Sequence, residues 1–329
     1  MRKSLIIQLV VLGLVVGAIS AVVALYIPWL PDLASEEGGG IDDLYLFASI
    51  ISLVVISVVA AVSIYAVLKF RARPDDDEDG KPIHGHTGLE IAWTAIPTAL
   101  VTAIAIYSAV VLVNNEDLKP DHRVIEVKAV QFTWSFTYPE AEVTTGELHV
   151  PVGEQVEFRM EAEDVIHSFW VPEWRLKQDL VPGTSQHVIV TPDQPGAFTL
   201  ICTELCGLGH STMRALVVVQ SRAQFDSWLA AAKEAAGGGA AFDAKAAFTE
   251  SCGTCHTLAG AGTTGQVGPD LDTVLAGVSA DEILESITDP DAAVSEGYQP
   301  GLMPKNYGDV LSEQQLAALV QYLVGATNG

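Results

Sequence analysis

The sequence predicts a multidomain membrane protein in which a helical membrane part is followed by an all-β domain and then by a small all-α domain. Three observations predict this order. Long uncharged apolar runs occur only in the first third of the 329 residues. The middle of the chain shows the pattern of short strands, and its end returns to a helical period. All four cysteines lie in two short segments, 200–216 and 250–260.

The membrane part rests on three apolar runs, 5–30, 44–68 and 91–113, each close to the roughly 20 residues that a helix needs to cross a bilayer. Residues 1–30 are predicted to be a signal sequence or an N-terminal transmembrane anchor. Residues 41–113 are predicted to form a two-helix transmembrane hairpin.

Charge predicts how these helices are oriented. Lys and Arg precede the first run and lie between the second and third, including Arg73 and Lys81, whereas 31–43 has neither. Short cytoplasmic segments collect these residues, so everything after Asn114 is expected on the extracytoplasmic side of a bacterial plasma membrane.

The net charge limits the class of partner. It is -24, from 41 acidic and 17 basic residues. Nucleic acid is excluded as a partner, because binding phosphates requires clustered cations. The acidic surface is either a solvated exterior or a docking face for a basic partner protein, and the sequence leaves both open.

Strand patterns separated by Pro and Gly turns fill 114–222, the β domain, and predict a sandwich or barrel. Residues 223–242 are predicted to be a helix followed by a flexible Gly-rich join. In 243–329, two segments open with a serine followed three residues later by Glu282 or Gln315. That reciprocal capping pattern starts helices and predicts an all-α domain.

Cys252, Cys255 and His256 form a Cys-x-x-Cys-His motif, which is typical of covalent c-type haem attachment. Two thiols at this spacing can each add to a vinyl group of one porphyrin, and His256 is then an axial ligand of the iron. The alternatives are a redox dithiol or half of a zinc site, but a zinc site needs further ligands and 243–329 has no other His or Cys.

The sixth ligand of the iron is predicted to be Met303, the only methionine downstream of the motif. The alternative is a methionine that fills a gap in the core. Gly268 and Pro269 in "VGPDL" resemble the turn that class I cytochromes c place beside the proximal histidine. This resemblance implies a class I cytochrome c fold with His/Met ligation for 243–329, the haem domain.

The other cysteines, Cys202 and Cys206, are followed by His210 and Met213. Thiolate, thioether and imidazole together suit copper. A disulfide is the alternative outside the cytoplasm, but it would close a very tight loop and leave the His and Met unexplained. A mononuclear blue-copper site uses one Cys, so a second thiolate allows two coppers to share both sulfurs, each with its own imidazole.

A further histidine must then come from elsewhere in the β domain. We expect His167, because the aromatic residues around it would form an apolar shell of the kind that controls the dielectric around a metal. The candidates in the β domain are His122, His149, His167 and His187.

At this point "HSFWVP" and "CTELCGLGHSTM" resemble the CuA motif of cytochrome c oxidase subunit II. The resemblance covers 43–232, and the whole chain most resembles the fused subunits of caa-type oxidases. It implies a cupredoxin-like Greek-key β domain in which two cysteines bridge two coppers. It further implies that the Glu204 side chain binds a magnesium ion shared with subunit I. The implied copper ligands are His167, Cys202, the Glu204 carbonyl, Cys206, His210 and Met213.

The resemblance also implies roles in proton and electron transfer. Glu90 corresponds to a carboxylate at the cytoplasmic mouth of a proton channel, although it could equally be a solvated residue at a helix start. Lys177 and Asp179 resemble the stretch near the magnesium and the proton exit. In "QFTWSF", Trp134 is kept, but Phe132 stands where the family usually has the Trp that receives electrons from soluble cytochrome c. A different electron route is therefore expected.

The resemblance implies a subunit that takes electrons onto covalent haem c and passes them to CuA. They then reach subunit I of a haem-copper terminal oxidase, where O2 is reduced to water with proton pumping. The expected partners are subunits I and III and an external donor, such as a cytochrome c or a quinol-oxidising complex. The alternatives are a CuA-containing subunit of a nitric oxide reductase or a stand-alone membrane-anchored electron shuttle. The three apolar runs contain no histidine, so oxygen chemistry needs a partner subunit.

Overall fold

The computed structural model describes residues 2–71, 82, 84–236, 243–305 and 307–327. These divide into two compact units, of which one holds most of the apolar helices. The other holds Leu33–Gly38 and the chain from Leu118 onward. Two expectations concern residues outside the described ones. They are the Gly-rich join at 237–242 and the orientation that rests on the cations Arg73 and Lys81.

The described part of the chain contains three helices long and apolar enough to cross a membrane, as predicted. A Cβ added at Gly13 would lie 3.7 Å from the Ala61 Cβ, and one at Gly17 would lie 3.2 Å from the Ser57 Oγ. Small residues at such contacts let membrane helices approach closely. The helices are α1 (Arg2–Tyr26), α2 (Glu36–Phe70) and α3 (Thr87–Asn115).

The β domain is built from two five-stranded sheets, with strand orders 3-2-1-5-8 and 4-10-9-6-7 in chain numbering. The strands are β1 (Arg123–Val130), β2 (Thr133–Tyr138), β3 (Val143–Thr145), β4 (Leu148–Pro151), β5 (Val156–Ala162), β6 (His167–Trp170), β7 (Lys177–Leu180), β8 (Gln186–Val190), β9 (Gly196–Cys202) and β10 (Arg214–Gln220).

Two parallel pairs show that this is not a simple series of hairpins. β1 pairs with β5 and β4 pairs with β10 in parallel, while the other neighbouring strands are antiparallel. Consecutive strands therefore cross between the sheets. Apolar side chains from both sheets fill the space between them, including Phe136, Phe158, Phe169 and Leu200, all fully buried. The predicted cupredoxin-like sandwich is confirmed.

Leu33–Gly38, which includes the first residues of α2, packs with the β domain. Ala34 and Ser35 are buried, at 2% and 1% exposure. The Glu37 carboxylate accepts hydrogen bonds from the Thr191 backbone N–H and hydroxyl, each at 2.7 Å. This short acidic segment had no strand pattern, so its contribution to the domain was not predicted.

The haem domain is helical, as predicted, with a core that includes Phe248, Ile283 and Leu319. The predicted capping box at Ser279 and Glu282 is present. A helix, α4 (Arg222–Ala236), follows the β domain, and the remaining elements are α5 (Ala244–Ser251), β11 (Thr257–Leu258), β12 (Thr263–Thr264), α6 (Leu271–Val274), α7 (Ala280–Thr288), α8 (Tyr307–Val310) and α9 (Glu313–Thr327).

Candidate functional site

The β9–β10 loop, residues 202–213, carries most of the predicted copper ligands. β9 ends at Cys202 and β10 begins at Arg214, so both ends of the loop are held by neighbouring antiparallel strands. Gly207 lies at φ +134, which favours glycine. The loop then closes with a 3₁₀ turn over His210–Thr212. Because the loop is short and anchored at both ends, ligands that are close together in the sequence all lie at one end of the sandwich.

Five predicted ligands meet there. The Cys202 and Cys206 Sγ atoms are 3.8 Å apart. The His167 Nδ1 lies 3.9 Å from the Cys202 Sγ, and the His210 Nδ1 lies 3.6 Å from the Cys206 Sγ. The Met213 Sδ is 3.8 Å from the Cys206 Sγ. Each cysteine thus has its own imidazole, which is the symmetry that two metal ions sharing two sulfurs require.

The sixth predicted ligand is a main-chain oxygen. The Glu204 carbonyl oxygen lies 3.3 Å from the Cys202 Sγ. The Glu204 side chain is half-buried. A carbonyl on the Cys202 side and a thioether on the Cys206 side complete a donor set that is similar but not identical at its two ends.

Two polar residues that sequence reasoning missed hold this site in place. The His167 ring donates from Nε2 to the Asp164 carboxylate at 2.8 Å, which leaves Nδ1 facing the sulfur. The Gln131 backbone N–H donates to the same carboxylate at 2.7 Å, and the Gln131 side-chain amide donates to the Cys206 carbonyl at 2.5 Å. An aspartate three residues before a ligand histidine could have signalled the first contact. Nothing local to Gln131 could have signalled the second.

Electrostatics distinguish the two thiols. Burial opposes ionisation of Cys202, but hydrogen bonds from His167 and the backbone outweigh it and lower the pKa of this thiol. Burial and the neighbouring Cys202 charge raise the pKa of the Cys206 thiol. The pair therefore loses one proton readily and holds the second until positive charge arrives. This buried, polarisable donor set fits two copper ions.

The remaining histidine candidates of the β domain lie elsewhere. The His122 Nε2 lies 3.2 Å from the Glu157 carboxylate. His149 stacks on Trp228 with ring centroids 3.9 Å apart. His187 lies on β8 and is exposed. Of these candidates, His167 is the one that the structure brings to the cysteines.

Two aromatic residues flank the cluster. Trp134 is buried, and its ring centroid lies 6.2 Å from that of His167. Phe132 is half-buried and packs on the β9–β10 loop, where a Cβ added at Gly209 would lie 2.5 Å from the Phe132 Cδ2. Phe132 thus occupies the outer side of the loop and Trp134 the inner side.

The haem-attachment residues line a large cavity. It has a volume of about 1030 Å³ and is lined by Cys252, Cys255, His256, Met303 and apolar side chains of the haem domain, together with β-domain residues that include Phe132. Burial raises the pKa of both thiols, to about 12 for Cys252. Both thiols are therefore neutral at neutral pH.

His256 is held in the orientation of an axial ligand. Its Nδ1 donates to the Pro269 carbonyl at 3.0 Å, which leaves Nε2 free to bind iron. Burial lowers the pKa of His256 against the opposing effect of that hydrogen bond, so the ring is neutral. A Cβ at Gly268 would lie 2.5 Å from the His256 Cε1, so only glycine fits there. These residues fit a haem.

The three residues implicated in proton transfer lie outside both sites. Glu90 is in the first turn of α3, and its carboxylate accepts from the His86 backbone N–H at 2.9 Å. Lys177 and Asp179 lie on β7 and are exposed. Asp179 accepts from the Ser168 hydroxyl at 2.7 Å, which links it to the residue beside His167. The Glu90 contact is a capping interaction and is compatible with either interpretation of that residue.

Comparison with known proteins agrees with this arrangement along the chain. Family models match at residues 20–111 (cytochrome c oxidase subunit II, transmembrane domain), 107–221 (cytochrome c oxidase subunit II, periplasmic domain) and 241–327 (cytochrome c). The three matches follow the order membrane helices, β domain and haem domain.

Individual relatives extend the comparison to most of the chain. Cytochrome c oxidase subunit 2 of Synechocystis is 32% identical over 67% of this chain and 82% of its own length. The protein of the same name from Alkalihalophilus pseudofirmus is 36% identical over 84% of this chain and 85% of its own. Among solved structures, the periplasmic domain of subunit II of cytochrome oxidase from Bradyrhizobium japonicum is 28% identical over 36% of this chain and 97% of that chain, with a TM-score of 0.34.

The family accounts for features that the geometry showed separately: helices fit for a membrane, a β domain with a cysteine and histidine cluster, and a haem-type pocket. Copper and haem are the cofactors that the matched families imply. The chain belongs to the family of cytochrome c oxidase subunit II, carries a cytochrome c domain at its C-terminal end, and is a subunit of a haem-copper oxidase, an oxidoreductase.

Proposed function

We propose that this subunit accepts electrons at the haem domain and delivers them through a dinuclear CuA centre in the β domain to subunit I, where O2 is reduced to water with proton pumping. One observation carries the proposal. The ligand atoms of His167, Cys202 and Cys206 lie within 4.8 Å of one another, in a chain that also holds a Cys-x-x-Cys-His pocket. When bound, haem and copper supply reversible one-electron chemistry.

The protein residues have three tasks in this function. Cys252 and Cys255 would hold the haem covalently, and His256 and Met303 would supply the ligands of its iron. Cys202 and Cys206 bridge the coppers, and a buried site keeps water away from them. The Asp164 and Gln131 contacts hold the ligands in one arrangement, so little has to move when charge changes.

Further roles follow from the resemblance. We propose the Glu204 carbonyl as a weak copper ligand and its side chain as a magnesium ligand at the contact with subunit I. Glu90 is proposed for proton uptake, and Lys177 and Asp179 for the exit region, where Asp179 already shares a hydrogen bond with Ser168.

We also propose how the chain is placed and what it works with. The β and haem domains lie on the extracytoplasmic side of a bacterial plasma membrane. Subunits I and III are the membrane partners, and the external donor is a cytochrome c or a quinol-oxidising complex. The apolar helices and the strongly acidic composition support membrane insertion and a basic donor, respectively.

The bridging cysteines give the test. Cys202→Ser and Cys206→Ser should each abolish the mixed-valence copper signal in electron paramagnetic resonance and leave the haem optical spectrum intact. Ser211→Ala is a matched control, because Ser211 is exposed in the same loop. Retention of the mixed-valence signal in either cysteine variant would refute the bridging role.

A further inference from the structure

Met303, the proposed sixth ligand of the haem iron, lies in a long loop of the haem domain. Residues 289–306 join the end of α7 at Thr288 to the start of α8 at Tyr307, and the described residues of this loop form no helix or strand. A free loop of this kind samples many conformations, and holding one side chain in place costs conformational entropy. Contacts within the domain must therefore fix the loop if Met303 is to stay at the wall of the cavity that it lines.

The end of the loop that follows Met303 is anchored by a tyrosine. Tyr307 is buried, and its hydroxyl donates to the Ser251 carbonyl at 3.2 Å. Ser251 directly precedes the haem-attachment residue Cys252. This contact ties the end of the loop to the haem-attachment segment and leaves the residues around Met303 to be held by other contacts.

Asp291 lies at a well-defined position just after α7. The helix packs into the domain core through Ile283, and Pro290, which follows the helix, is buried. The Ala292 backbone N–H donates to the Asp289 carbonyl at 3.0 Å and closes a turn around Asp291. The Asp291 carboxylate is therefore presented from a structured part of the domain.

This one carboxylate contacts the Met303 loop at two points. The Asp291 Oδ1 accepts from the Gly301 backbone N–H at 2.7 Å, across ten positions of the chain. The Asp291 Oδ2 lies 2.5 Å from the Lys305 Nζ. Gly301 and Lys305 stand on either side of Met303 in the sequence, so the carboxylate holds the loop both before and after the ligand.

Two backbone features carry these contacts to Met303. Gly301 lies at φ +77, a conformation that favours glycine, and the chain turns there before it reaches the ligand. Pro304, between Met303 and Lys305, has its φ fixed by its ring. Because few free torsions separate the held atoms from Met303, holding those atoms also restricts where the thioether can lie.

We propose that Asp291 is a positioning residue for Met303, because its carboxylate binds the loop on both sides of that ligand. The inference rests on the proposed function, in which Met303 binds the haem iron, and adds the residue that keeps it there. An opening of the loop that releases Met303 must break the hydrogen bond to Gly301 and the ion pair with Lys305. Asp291 thus determines how easily another small ligand can replace Met303.

A titration of the full, haem-loaded chain with imidazole tests this role, with loss of the His/Met optical signature as the signal. Asp291→Ala removes both contacts, so the apparent affinity for imidazole should rise about tenfold, the lower limit for a hydrogen bond to a charged group, since the Asp291 side chain is 27% exposed. Asp291→Asn keeps an oxygen for the Gly301 N–H and loses only the ion pair. Its affinity should rise about twofold, as for an exposed pair.

Matched variants show whether the effect belongs to these contacts. Lys305→Ala removes the same ion pair and should behave like Asp291→Asn; a clear difference between the two would contradict the proposal. Glu296→Gln removes an equal charge from an exposed position of the same loop and should bind imidazole as wild type does. Wild-type imidazole affinity in Asp291→Ala would overturn the proposal even if that variant unfolds at a lower temperature, because a merely structural role changes stability alone.

Hydrogen exchange of the same protein gives a readout that does not depend on the iron. The Asp291 carboxylate protects the Gly301 N–H, so the peptide that contains Gly301 should exchange about tenfold faster in Asp291→Ala than in wild type. Exchange at the wild-type rate would show that the carboxylate does not hold the loop.

Met303→Leu separates a failure of this inference from a failure of the proposed function. If Met303→Leu keeps the His/Met signature, Met303 is not the ligand, and both the ligand assignment in the proposed function and the role of Asp291 fail. If Met303→Leu loses the signature while Asp291→Ala binds imidazole as wild type does, the role of Asp291 alone is wrong.

Discussion

The hydrogen bond between Asp164 and His167 gives the sharpest prediction about copper binding. One carboxylate oxygen accepts from the His167 Nε2–H at 2.8 Å and the other from the Gln131 N–H at 2.7 Å. In Asp164→Asn one of these acceptors becomes an NH2 donor that faces an N–H. The asparagine can accept from only one of the two N–H groups and no longer as a charged carboxylate, so it holds the His167 Nδ1 less firmly toward the metal.

The size of the effect follows from two independent considerations. A hydrogen bond to a charged group contributes about 1.5–3 kcal/mol. Loss of the partner that orients a ligand typically costs about 10- to 100-fold in metal affinity, which is about 1.4–2.7 kcal/mol. Both give about 2 kcal/mol, so the copper affinity of Asp164→Asn should fall roughly 30-fold.

The assay is a competition titration of the full chain with a copper chelator, followed by the mixed-valence signal. Glu163→Gln is the matched control, because it removes the same charge from the neighbouring residue, away from His167. Glu163 is half-exposed and pairs with Lys128 at 3.0 Å. Its affinity should stay within about twofold, as for an exposed ion pair. Equal affinities for Asp164→Asn and wild type would refute the reasoning.

Other predictions concern the haem ligands and a partly exposed ion pair. Gly268→Ala should displace the His256 ring, because its Cβ would lie 2.5 Å from the Cε1, and should destabilise the haem domain by about 1–3 kcal/mol in thermal unfolding followed at the haem band; an unshifted midpoint would contradict this. Met303→Leu should keep the covalent haem but lose the low-spin His/Met optical signature, and an unchanged spectrum would assign the sixth ligand elsewhere. The hydrogen bond from Arg159 holds the pKa of Glu157 below its usual value, so its stabilising effect is present above the unfolded-state pKa and is lost as pH falls through the folded-state pKa. Glu157→Gln should therefore lower the free energy of unfolding of the β domain at pH 7, by only about 1 kcal/mol because Arg159 is half-exposed. Unfolding followed by β-sheet circular dichroism should show no difference from wild type in acid. A difference that persists in acid would contradict the assignment.

Local spacing was enough to predict the ligands but not what holds them. Cys202, Cys206 and His210 lie within one loop, so their proximity needs no knowledge of the fold. His167 required only the expectation of a second imidazole in an apolar setting. The Gln131 contact with Cys206 joins residues 75 positions apart, and no local pattern encodes such a distance.

Two further features depended on tertiary structure in the same way. Leu33–Gly38 is short and acidic and has no strand pattern, yet Ser35 pairs with Pro192 in the β domain. Thr212 and Cys255, which belong to two domains predicted separately, line the same cavity. The sequence pattern of each domain predicts that domain's secondary structure. It cannot predict which surfaces of the two domains meet.

The central claim is that the four cysteines are divided between two cofactors in two neighbouring domains. The most direct measurement is a metal and haem count on the purified full chain, combined with electron paramagnetic resonance of the oxidised protein. We expect two coppers that share one unpaired electron and one covalently bound haem per chain. Zinc at either site, or a cystine between Cys202 and Cys206 in protein matured with copper and haem, would contradict the account.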